Sequence, residues 1–127
     1  MEWEPISKSV LQARIDQGLA RMTPAQQRFW NAIRIEPQKW KQHPYGDQGG
    51  GFWVVAVIGR TVVWYNDIED GFNRSNYSAR GVIDEYWCNN DELELAVHFL
   101  LTAIESGHDM LKLPNDARGR ARGKRRK

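Results

Sequence analysis

Five carboxylates, Asp67, Glu69, Asp70, Asp84 and Glu85, would converge if the strands they flank form a meander. Paired carboxylates are what general acid–base work or a hard cation site requires. The D-x-E-D spacing lacks the glycine and the ligand series of a calcium loop. Glycoside cleavage needs two acids opposed across a cleft, which adjacent loops do not guarantee. His43, His98, His108 and Cys88 are the soft metal ligands, and none has the short paired spacing of a zinc site. Cys88 stands just before a helix start, where the dipole favours thiolate, but no base is nominated for it; a packed, inert thiol is expected. No phosphate loop, dinucleotide fingerprint or nucleophile elbow is present. Gly49, Gly50 and Gly51 precede a strand rather than a helix, the wrong order for cradling phosphate. A non-enzymatic protein with no cofactor and no metal is the expectation.

Charge says more. The formal net charge is +2, yet residues 113–127 carry seven basic residues and one acidic. Those seven, Arg118, Arg120, Arg122, Lys124, Arg125, Arg126 and Lys127, offer salt-sensitive, sequence-independent contact to nucleic acid; a merely solubilising tail is the alternative. The remaining chain holds 11 Lys and Arg against 15 Asp and Glu, and residues 66–112 hold three basic and ten acidic. An acidic domain of this kind suits a protein partner, one of basic character. Asp67, Glu69 and Asp70 would steer the encounter, with Trp64, Tyr65 or Phe72 as the apolar anchor. Among Trp40, Tyr45, Trp53, Trp64 and Trp87, one or two rings should stay partly exposed. Immunity proteins and other inhibitors use scaffolds of this sort, by analogy alone.

The elements that must position these residues centre on 52–65, two β-rich runs split by Gly59-Arg60. Gly first in a two-residue connection predicts a hairpin with a type II′ turn. In that register Ile58 faces Thr61, Ala56 faces Val63 and Val54 faces Tyr65. Both faces are apolar, so both must be covered. Upstream, Ser9 with Gln12 (or Ser7) starts a first helix over Val10, Leu11, Ile15, Leu19 and Met22, weakened at Gly18. Thr23-Pro24-Ala25-Gln26 restarts a second, carrying Phe29, Trp30 and Ile33. Residues 36–51 read as a connection. Residues 66–70 form an acidic turn, 71–74 a short strand and 82–87 a further strand. Asn89 caps a last helix with a wide apolar face, which Gly107 ends.

The fold class expected is α+β: two N-terminal helices, a three- to four-stranded antiparallel meander built on a central β-hairpin, and a C-terminal helix packed on the sheet. Residues 1–112 make one domain and 113–127 a disordered basic tail. The absence of a long apolar run or an h-region, and the single cysteine, point to a cytoplasmic protein, monomeric or homodimeric, with no membrane contact. The turn Asp67-Ile68-Glu69-Asp70-Gly71-Phe72 and the run Tyr86-Trp87-Cys88-Asn89 leading to Glu92-Leu93 resemble short uncharacterised proteins of proteobacteria. That resemblance implies a bacterial source and carries no activity.

Overall fold

Cap chemistry sets the first two helices. α1, Lys8–Arg21, begins at Ser7, whose hydroxyl accepts from Val10 N. Ser9 therefore lies inside the helix. α2, Pro24–Ile33, carries the full reciprocal capping box between Thr23 and Gln26, with Pro at its start. The computed structural model describes residues 3–107, and both helices lie on one side of a four-stranded antiparallel sheet of order β1-β2-β3-β4.

The strands are β1 Arg34–Trp40, β2 Phe52–Ile58, β3 Thr61–Asn66 and β4 Gly71–Asn76. β1 falls partly in the stretch expected to be a connection. Its Pro37 removes a ladder donor, and the pairing with β2 is irregular between Arg34 and Gln38, which hides strand character from any pattern of alternation. Pro37 is tolerated because β1 is an edge. Conversely, 82–87 is not a strand. It meets the sheet at one isolated bridge, Val82 with Lys41, and is held by backbone bonds, Ile83 N to Lys41 O at 2.8 Å and Asp84 N to Asn76 O at 3.3 Å. A side chain holds it too: Ser75 Oγ takes the Trp64 indole N–H at 2.8 Å and donates to Glu85 O at 2.8 Å.

The hairpin turn has Gly59 at φ 57°, as the type II′ reading requires. Its register holds from Ile58↔Thr61 to Ala56↔Val63 and then changes: Val54 pairs with Trp64 and Trp53 with Tyr65. Val55 is a bulge. Because strand side chains alternate, one extra residue exchanges faces for everything N-terminal to it. Trp53 joins the helix side, Val54 leaves it, and Val55 and Ala56 point the same way.

The helix-side core gathers Leu11, Ile15, Trp30 and Ile33 with Val55, Ala56, Val63, Tyr65 and Phe72. The C-terminal helix α3, Leu93–Ser106, adds Leu93, Ala96, Val97 and Leu100. It starts later than expected: Glu92 is its N-cap residue without a side-chain cap bond, while Gly107 closes it at φ 80°. α3 packs on α1, α2 and β4. Its close approach to α1 explains Gly18, where a Cβ would stand 2.8 Å from Leu93 Cβ.

The opposite face buries Trp40, Phe52, Val54, Val62, Trp64 and Ile83 beneath Trp3, Ile68, Tyr77 and Tyr86. Helices cover one face; an N-terminal segment and the 77–87 loop cover the other. Among the described residues, no helix is long and apolar enough to cross a membrane.

Candidate functional site

The acidic turn between β3 and β4 is built by Asn66. This side chain is fully buried, and its Oδ1 accepts from Ile68 N at 2.9 Å and Glu69 N at 3.2 Å. That is the Asx device by which an Asn starts a turn. Its Nδ2 reaches Tyr86 Oη at 3.0 Å and Trp87 O at 2.9 Å, which fixes the Tyr86 ring beside the turn. Tyr45 then stacks on Tyr86, centroids 4.0 Å apart and planes 25° apart, and stays 49% exposed. Burial raises the Tyr86 phenol above its ordinary pKa, the Asn66 amide opposes the shift, and the charge of Glu69 adds to it. An exposed carboxylate and an exposed ring thus share one support.

The three acids of the turn have different fates. Glu69 and Asp70 are exposed. Asp67 is buried, its Oδ2 accepting from Ile6 N at 2.6 Å. Burial pushes its carboxyl up, and the Ile6 amide, its own backbone amide and the charge of Lys39 hold it down in part. Asp67 is therefore a structural clip and not a steering charge. The anchors named with these acids are interior too: Trp64, Tyr65 and Phe72 are at most 2% exposed, because β3 and β4 are sandwiched between two covers. Tyr65 shows only its hydroxyl.

That hydroxyl forms the floor of a cleft of about 280 Å³ between α1, the turn and the start of α3, lined by Arg14, Arg21, Asp70, Asn90, Asp91 and Glu92 among others. Tyr65 Oη donates to Asp70 Oδ1 at 3.0 Å and accepts from Arg14 Nη1 at 2.5 Å. Desolvation and the bond to Asp70 drive the phenol pKa far up, against the pull of Arg14. Asp70 meets this bond from a left-handed backbone, φ 60°, a conformation Asp tolerates better than most residues. Asp91 is raised by burial, and Arg74 opposes this. Arg21 is already engaged, at 2.6 Å from Glu94 and 3.3 Å from Glu92.

The five sequence-nominated carboxylates do not converge. Asp84 and Glu85 lie at the other end of β4, where Asp84 accepts from Ser78 Oγ at 2.7 Å and Glu85 from Asn76 N at 2.9 Å. His43 sits 2.6 Å from Asp47, His98 lies against Phe99, and Cys88 is half-buried. No group of three or more His, Cys, Asp or Glu stands at metal-holding distance among the described residues. His108 and the tail residues Arg118, Arg120, Arg122, Lys124, Arg125, Arg126 and Lys127 lie outside them.

Sequence reasoning missed Asn66 and Tyr86 as site builders. An Asn opening a turn was the available signal for the first. No local signal gave the second, since its role depends on a partner 20 residues away. No family model, curated protein or solved structure matches the chain.

Proposed function

We propose that this chain is a non-enzymatic protein-interaction module of the inhibitor or immunity type, which binds a basic protein partner through Glu69, Asp70 and the Tyr45–Tyr86 stack. The observation that carries the reading is Tyr45, half exposed on a partly buried, hydrogen-bonded ring beside an acidic turn. A rigid aromatic held in this way loses little entropy on binding and excludes water from a neighbouring charge pair. Surface carboxylates supply encounter rate and salt dependence. Asp84 and Glu85 stand apart from the turn acids and are engaged in local hydrogen bonds, which favours binding over chemistry.

The test is comparative capture from native lysate with wild type, Glu69→Lys and Tyr45→Ala. Glu69→Lys should slow association and flatten its salt dependence, while Tyr45→Ala should speed dissociation. Equal recovery of the same proteins by all three removes this surface from consideration. The seven basic residues of the tail support a second reading, non-specific nucleic-acid contact. Deleting residues 117–127 separates the two, since nucleic-acid retention would vanish and partner capture persist.

A further inference from the structure

The aromatic surface continues beneath Trp3, on the sheet face opposite the helices, and the segment that carries it passes to the helix side, where Ile6 packs. Trp3 stacks on Phe52 at 5.8 Å with planes 15° apart, and Phe52 stands 6.1 Å from Tyr86. Trp3, Phe52, Tyr86 and Tyr45 thus form one continuous path of rings. A Cβ at Gly49 would lie 2.3 Å from Trp3 Cη2. The backbone there is not left-handed, so this glycine answers to the indole alone. Gln48 Nε2 donates to Trp3 O at 3.5 Å, Trp53 Nε1 to Ile6 O at 3.2 Å, and Ile6 N to Asp67 Oδ2 at 2.6 Å. These groups make a shaped seat for an indole on an extended segment.

The seat is incompletely satisfied by its present occupant. Asp67 is 8% exposed, and its Oδ1 has no hydrogen-bond partner among the described residues. A buried carboxylate oxygen without a donor is a costly arrangement. Lys39 does not supply that donor: its Nζ is given to Gly49 O at 3.0 Å and Gly51 O at 3.3 Å, over the Trp53 ring. Residues 3–6 offer an indole and one amide, and bring no cation, since the segment is Trp-Glu-Pro-Ile.

We infer that this seat is a binding site for an extended segment of a protein partner, carrying a large aromatic ring for the Gly49–Phe52 pocket and a Lys or Arg for Asp67 Oδ1, and that residues 3–6 fill it in cis until displaced. The inference rests on the proposed interaction role and extends that surface along the ring path. It assigns the partner a sequence character, an aromatic residue close to a basic one. A segment that satisfies both carboxylate oxygens outcompetes one that satisfies a single oxygen, even though the cis segment enjoys a high effective concentration.

The experiment uses the full chain with Trp3→Ala, which empties the pocket, titrated by NMR with N-acetylated peptides of residues 3–7, which carry no cation. The native peptide should shift the amides of Gly49, Phe52 and Asp67, and its Trp3→Ala version should not. Peptides with Glu4→Arg or Pro5→Arg should bind more tightly, at least one by about tenfold. That gain should vanish when Asp67→Asn is added to the protein. Absence of seat shifts at millimolar native peptide overturns the site, while the capture experiment on Tyr45 and Glu69 stands or falls by itself. Equal affinity of the native and both Arg peptides overturns the basic requirement. If Trp3→Ala loses its cooperative melt, the wild-type chain is titrated with the Arg peptides instead and the Ile6 amide followed by hydrogen exchange. Lost protection supports displacement, and unchanged protection at the highest peptide concentration overturns it.

Discussion

Gly71→Ala tests how the second cover is fastened to the sheet. A Cβ at Gly71 would lie 2.0 Å from Asn90 Cα and 2.3 Å from Asn90 C, both backbone atoms that no rotamer change can move. To reach ordinary contact the 90–91 backbone must retreat by about 1.4 Å. Three hydrogen bonds depend on its present place: Phe72 N to Asp91 O at 2.8 Å, Asn73 Nδ2 to Asn89 O at 2.9 Å, and Asn89 N to Asn73 Oδ1 at 2.9 Å. At about 1 kcal/mol each their loss costs about 3 kcal/mol, within the range for inserting a methyl into a packed region. For a domain of this size the melting temperature should fall by roughly 12 °C. Urea and thermal melts of Gly71→Ala should be read beside Asn73→Ala, which removes two of the three bonds without the clash and should lose about 2 kcal/mol. If Gly71→Ala melts within about 2 °C of wild type, the close approach of 90–91 to β4 does not exist as described.

Val55→Asp and Ala56→Asp should each abolish cooperative melting, since both place an unpaired charge against the helices; a wild-type-like melt of either rejects the covered face. Tyr65→Phe should cost about 1 kcal/mol in a urea melt by removing the hydroxyl between Arg14 and Asp70. Because the folded state raises the Tyr65 phenol, wild-type stability should hold below pH 10.0, the ordinary value, and decline above it. Tyr65→Phe should flatten that alkaline decline, and an unchanged slope would contradict the assignment. Asp67 is also raised, so its contribution is present below pH 3.8 and is lost as pH rises through the folded value. Wild type should therefore gain on Asp67→Asn as pH falls from 7 to 3. Lys39→Met should enlarge this difference, because Lys39 opposes the shift while Asp70 adds to it.

Features that are local in sequence were legible. The Thr23–Gln26 capping box, the Gly59 turn and the Gly107 cap each follow from residues within a few positions of one another, and each stands in the structure. The α+β class followed from the same signals. Three features were not legible, each for its own reason. The Val55 bulge leaves no mark in a run that is apolar on both faces, so the register slipped and Trp53 and Val54 exchanged sides. β1 is disguised by Pro37, and 82–87 mimics a strand because it lies over the sheet and pairs with it at a single isolated bridge, Val82 with Lys41. At the site, the acidic turn was visible, whereas the sorting of its acids was not. Asp67 is buried by Ile6, 61 positions away in the chain, and short-range patterns carry no record of such contacts.

The bulge at Val55 has a consequence for how this strand tolerates changes in length. Removing one residue from the middle of a central strand ordinarily turns half of it inside out. Here the opposite holds at one position. Without Val55, the order Phe52, Trp53, Val54, Ala56, Val57, Ile58 alternates regularly and every remaining side chain keeps its present face. Facing is thus preserved by a deletion that would turn most strands inside out, and what is lost is the buried Val55 side chain together with curvature, since a bulge adds local twist. The flattened strand would still divide its residues correctly between helices and loops while fitting the helix layer less closely. Val55 is a spare unit of length, and shape, more than sidedness, is what it supplies.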